Sequence, residues 1–121
     1  MTTLKLVILP YPTYHSIRSK IIKILGPDIR LKTVLEDDIV DLANELNLRS
    51  AIRNGLKRIL KEINGLLVEI YLVVVGHPYV NMLVYHMLQE LVGDVKLLVW
   101  DSYRRKYLIK ELSTKIPILV R

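Results

Sequence analysis

The chain contains no cysteine, which excludes disulfides, thiolate nucleophiles and cysteine-ligated zinc or iron–sulfur centres. It also lacks an uninterrupted apolar run of the roughly 18 residues that a membrane span needs. Its longest apolar stretches are broken by Glu69, His77, Asn81, His86 and Gln89. Near the N-terminus only Leu6 to Leu9 is continuously apolar, too short for a secretory core, and no small-residue cleavage pattern follows. A cytoplasmic protein is the expectation. There is no G-x-G-x-x-G, no G-x-x-x-x-G-K-[ST] and no G-x-S-x-G, so dinucleotide oxidoreductases, P-loop NTPases and α/β-hydrolases lose their signatures. No cofactor is expected. Spacing of the H-x-x-x-H kind is also missing among His15, His77, Glu36, Asp37, Asp38 and Asp101, which argues against a metal site.

What is present suits a single domain over residues 1–121, long enough to bury about two thirds of its unfolded surface. The 18 Lys and Arg outnumber the 12 Asp and Glu, giving a net charge of +6 that favours polyanionic partners. Abundant Ile, Leu, Val, Lys and Arg beside a single Gln resemble the composition of thermophilic proteins. The 51% hydrophobic content exceeds what one small core absorbs, so a homodimer is expected.

Val68 to Leu91 is the most informative segment, a buried strand running through Gly76-His77-Pro78 into an amphipathic helix. Pro78 stands at the favoured first helical position, and Val80, Val84, Met87, Leu88 and Leu91 form its apolar stripe. Before it, Leu4 to Leu9 reads as a strand ended by Pro10-Tyr11-Pro12. Ile17, Ile21, Ile24 and Leu25 mark a helix stopped by Gly26-Pro27, and Ile29 to Val34 reads as a shorter strand. Glu36-Asp37-Asp38 reads as the start of a second helix with Ile39, Leu42, Ala43 and Leu46 inward, paired with a third over Leu48 to Asn64. Val95 to Trp100 predicts a strand, Tyr103 to Leu112 a basic helix with Tyr107, Leu108 and Leu112 inward, and Pro117 to Val120 a last strand. The order β-α-β-α-α-β-α-β-α-β predicts an α/β, Rossmann-like three-layer sandwich with a mainly parallel five-stranded sheet.

If the strands run parallel, the loops after the first, third and fourth share one edge, where such folds bind ligands. Those loops supply Tyr14, His15, His77, Tyr103 and Arg104, with Asn81 one turn into the helix. Tyrosine rings stack on bases, and imidazole and guanidinium meet phosphate. The expected function is therefore binding of a phosphate-bearing nucleotide or short oligonucleotide. A second pattern lies in the long helix, where Arg49, Arg53, Lys57 and Lys61 recur every four residues beside Arg58. Like charges at that spacing repel by a few tenths of a kcal/mol per pair, and over roughly 18 Å the stripe matches several nucleic-acid phosphates. Arg104-Arg105-Lys106 with Lys110 forms a further basic group. A third reading is a small oligonucleotide-cleaving enzyme with His15 or His77 as acid or base.

The strand-turn-helix at Val73 to Leu88, preceded by a long helix and followed by the strand Val95 to Trp100, resembles the sensor domains called CRISPR-associated Rossmann fold, or CARF. In that family the turn after a central strand and the loop after the first line a dimer crevice that binds cyclic oligoadenylate. The resemblance lies in element order over most of the chain, with Gly76 and its turn as the motif-like match, and a domain without the family's effector is the expectation. Locally, Val75-Gly76-His77-Pro78-Tyr79-Val80-Asn81-Met82 is similar to a strand-to-helix junction of Alba chromatin proteins, which implies a nucleic-acid partner.

Overall fold

The computed structural model describes residues 3–12, 16–37, 41–112 and 119–120. In chain order these form β1 (Leu4–Leu9), α1 (Ile17–Leu25), β2 (Ile29–Thr33), α2 (Glu45–Glu62), β3 (Val68–Val74), α3 (Pro78–Val92), β4 (Lys96–Asp101) and β5 (Lys106–Lys110). The fold is mixed α/β, with one five-stranded sheet of order β2-β1-β3-β4-β5. β2, β1, β3 and β4 run parallel, and β5 returns antiparallel to β4.

Alternation along β1 explains the layering. Val7 and Leu9 join Ile17, Ile21 and Leu25 of α1, whereas Leu6 and Ile8 join Ile52, Leu56 and Ile59 of α2 and Val80, Val84 and Leu88 of α3. Leu6, Ile8, Ile21, Ile52, Leu56, Leu72, Leu88 and Leu98 are fully buried, each stabilising by about 1.5–3 kcal/mol. The chain leaves β1 for β2 on one side, then returns past β1 to β3 on the other. Strand order therefore reverses between β1 and β3. Gly55 lets α2 settle against the end of β2: a Cβ there would lie 2.3 Å from the Val34 carbonyl oxygen. From the next turn Arg58 Nη2 donates to the Thr33 carbonyl at 3.3 Å.

Three expectations need correction. The segment Tyr103 to Leu112 is not a helix: Ser102 to Arg105 is a turn, and Lys106–Lys110 is the fifth strand. Backbone pairing with β4 and burial of Tyr107 between Trp100 and α1 favour the strand. Of the paired helices expected from Glu36 onward, the described residues form α2 alone. Asp41 Oδ1 accepts the Ala43 N–H in a turn, and Asn44 caps α2 by accepting the Asn47 N–H. Leu42 and Leu46, assigned to an inward face, are exposed; Asp38 and Ile39 lie outside the described residues. Of the strand expected over Pro117 to Val120, Leu119 and Val120 are described and are not in a strand. No helix among the described residues is long and apolar enough to cross a membrane.

Candidate functional site

Because Leu4 pairs with Val68 and Tyr71 with Lys96 in parallel register, β1, β3 and β4 end at one edge. The β3–α3 turn and the β4–β5 turn lie at that edge, as do Pro10 to Pro12, which follow β1. Tyr14 and His15 lie outside the described residues; His77 is described in the β3–α3 turn, Asn81 in the first turn of α3, and Tyr103 and Arg104 in the β4–β5 turn.

The β3–α3 turn is closed on itself. Gly76 has φ +77°, and a Cβ on it would fall 1.2 Å from Tyr11 Oη. The missing side chain thus makes room for the Tyr11 ring, which is only 9% exposed. Tyr11 Oη accepts the His77 N–H, and His77 Nδ1 accepts the Tyr79 N–H at 3.1 Å, capping α3. Nε2 is then the ring nitrogen left to His77. Asn81 is buried; its Oδ1 accepts the Val75 N–H at 3.3 Å, and its Nδ2 donates to the Val75 and His77 carbonyls at 2.8 and 2.9 Å. Asn81 therefore ties strand to helix. Its carboxamide is committed to the backbone rather than offered to the edge.

The β4–β5 turn is built differently. Asp101 pairs with Lys106 across the base of the hairpin, and Asp101 Oδ1 accepts the N–H groups of Tyr103 (3.0 Å) and Arg104 (3.3 Å). Asp101 Oδ2 accepts from Arg104 Nη1 at 2.9 Å. The Arg104 guanidinium above all, then the two backbone N–H groups, hold the Asp101 carboxyl below the ordinary carboxylate range, against an opposing contribution from burial. Below the tip, Trp100 meets Tyr107 edge-on at 5.2 Å and Lys20 of α1 sits 4.9 Å from the Trp100 ring. The anchored base carries an outward tip: Tyr103 is 91% exposed, with the Arg104 guanidinium 5.7 Å from its ring centre. Arg105 and Lys106 follow, both exposed.

Of the helix stripe, Arg49 is paired with Glu45 at 3.1 Å. Arg53, Lys57 and Lys61 are exposed and form no ion pair among the described residues. Glu45 also accepts from the Tyr79 hydroxyl, joining the starts of α2 and α3. That hydrogen bond and Arg49 lower the Glu45 pKa, and the same carboxylate raises that of Tyr79. Beside the end of β2 lies a groove of about 440 Å³ whose lining includes Glu36, Asp37, Asp41, Asn47, Asn54 and Arg58. Among the described residues no three His, Asp or Glu side chains converge to hold a metal ion.

Sequence reasoning missed Tyr11 and the organising role of Asp101. The register signalled the first: Ile8 pairs with Leu72, so Tyr11, three residues on, falls beside Val75 and Gly76. Comparison with known protein families, curated proteins and solved structures gives no match.

Proposed function

We propose that this chain is a doubly wound, Rossmann-like domain that binds a phosphate-bearing nucleotide or short oligonucleotide, linear or cyclic, at the carboxyl edge of its sheet. The observation that carries the reading is the β4–β5 tip. It presents an exposed tyrosine ring, Arg104 and Arg105 at the edge where β1, β3 and β4 end together. An aromatic face beside guanidinium groups suits a base joined to a phosphate. The CARF resemblance implies a ligand at the same edge. The working unit is a homodimer in this reading, supported by apolar side chains left in water, among them Leu46 at 83% and Met82 at 67% exposure; sedimentation velocity reads its mass directly.

Equilibrium binding of labelled mononucleotides and short oligonucleotides tests the function. Arg104→Ala removes a charge-assisted contact, so affinity falls by roughly 10-fold or more while the unfolding midpoint stays put. A parent protein that binds none of these ligands, or an Arg104→Ala variant that binds them as the parent does, refutes it.

A second reading, duplex DNA or RNA bound along α2, is favoured by the exposed Arg53, Lys57 and Lys61, which form no ion pair among the described residues. Salt separates the two: each phosphate contact on duplex DNA adds about 0.9 to the slope of log affinity against log salt. Reversing Arg53, Lys57 and Lys61 to Glu abolishes binding if the stripe is the interface and leaves it largely intact if the tip is.

A further inference from the structure

We infer that the ligand at this edge is an unpaired polynucleotide strand, with one base stacked on Tyr103 and neighbouring phosphates met by Arg105 and Lys106, an inference that rests on the oligonucleotide reading above. Two independent observations narrow the class. First, the place where the strand order reverses, which in such sheets receives a mononucleotide, is filled by the protein's own Tyr11 ring. The Val75, His77 and Tyr79 amides are taken by Asn81, Tyr11 and His77. Those three amides are thus turned to the protein's own side chains rather than to a phosphate. Second, the aromatic surface that is available stands on an open tip. Tyr103 is 91% exposed, and the Arg104 guanidinium packs near its ring.

A base stacked on that ring has no pocket walls to enclose it, so a mononucleotide gains one stacking contact and little else. A strand gains more. Its phosphates run on to Arg105 and Lys106, and every base has a π-face, so stacking demands no particular sequence. A duplex keeps its bases stacked on one another and offers the ring only sugar and phosphate. Asp101 holds the tip in shape before any ligand arrives, because its carboxylate already fixes the Tyr103 and Arg104 amides and the Arg104 guanidinium. The ordering cost of binding is reduced accordingly.

Fluorescence anisotropy with 5′-fluorescein 12-mers of uridylate and of thymidylate, a 12-base-pair duplex and AMP as competitor tests the inference on the full chain. The unpaired 12-mers bind more tightly than the duplex, and AMP competes poorly. Tyr103→Ala weakens the 12-mers by roughly 5- to 150-fold, the range for one lost base stack, without changing the salt slope. Tyr103→Phe stays within about twofold, and Arg105→Ala lowers the slope by about 0.7, the single-strand value for one phosphate. Circular dichroism confirms that the exposed substitutions leave the fold intact. Duplex bound as tightly as the unpaired strands, or Tyr103→Ala binding as the parent does, overturns this inference while the broader reading stands. A parent that binds no nucleotide or oligonucleotide overturns both.

Discussion

The β3–α3 and β4–β5 turns stand at the same edge on adjacent strands, yet they spend their polar groups in opposite directions. At the first, Asn81, Tyr11 and His77 accept the backbone N–H groups of Val75, His77 and Tyr79, and Gly76 gives its space to a tyrosine ring. At the second, one aspartate satisfies the backbone and leaves Tyr103, Arg104 and Arg105 facing water. The difference teaches that a glycine at a strand end marks close approach, not what approaches. Here the approaching group is the protein's own side chain. Buried contacts are concentrated in the inward turn and the proposed recognition lies in the outward one, so substitutions in the two turns have separable readouts.

The largest effect is expected from Gly76→Ala. A Cβ 1.2 Å from Tyr11 Oη cannot be accommodated in place, and φ +77° is itself unfavourable for alanine. Overpacking at about 1–3 kcal/mol and the left-handed backbone at about 1–2 kcal/mol sum to about 3 kcal/mol, seen as a lower urea midpoint with an unchanged m value. Adding Tyr11→Ala recovers the steric part of that loss relative to Tyr11→Ala alone, and the coupling between the two sites measures it. A loss below about 1 kcal/mol for Gly76→Ala would mean that Tyr11 is not packed where the structure puts it. Tyr11→Phe is milder. It keeps the ring, strips the His77 N–H of its acceptor and costs about 1 kcal/mol. Binding at the tip is unaffected by it. Should Tyr11→Phe instead gain affinity for orthophosphate, the inward turn would prove to be a suppressed anion site and the contrast between the turns would fail.

Legibility in the sequence followed how many independent signals each segment carried. β1, β3 and α3 were readable because continuous aliphatic runs, a Gly-His-Pro boundary and an i, i+4 stripe all agreed, and the parallel orientation of β1, β3 and β4 followed from connections long enough for crossovers. His77 at the cap position is also where the sequence places it. The hairpin was misread for a physical reason. An aspartate whose side-chain oxygen accepts N–H groups two and three residues on is the mark of a helix N-cap and equally of a tight turn. Asp101 makes those bonds, to Tyr103 and Arg104. What decides between them lies outside the segment: a free edge on β4 and the aromatic partner Trp100 waiting for Tyr107. In the same way Leu42 and Leu46 fit a helical period, but Asn44 starts the helix later and leaves both outside the core. Tyr103 and Arg104, which their chemistry singles out, lie together on one turn, between two strands and not at a helix start. Asn81 was chosen for its place beside His77, and burial decided otherwise.

The smallest effect tests what keeps the outward turn in shape. Asp101 is 14% exposed at its side chain, and its carboxyl is held below the ordinary value of 3.8. A carboxyl with a depressed folded-state pKa contributes its ordering in full above the unfolded value and loses it as pH falls through the folded one. The tip therefore remains ordered in mild acid, near pH 5, and loosens only below the usual carboxylate range. Amide hydrogen exchange and chemical shifts of Tyr103 and Arg104 report this without interference from the distant core. Asp101→Asn at neutral pH keeps an oxygen for the two N–H groups but gives up the charge facing Arg104. Its tip is expected to resemble that of the parent in strong acid, with the global unfolding midpoint unmoved. Glu45, lowered in the same direction by Tyr79 and Arg49, titrates at the starts of α2 and α3, so the parent shows a second acid-sensitive set of amides that Asp101→Asn leaves untouched. If instead the Tyr103 and Arg104 amides ignore both acid and Asp101→Asn, the hairpin geometry alone holds the tip. The aspartate would then be a passenger in a turn whose shape the four-residue connection had already set.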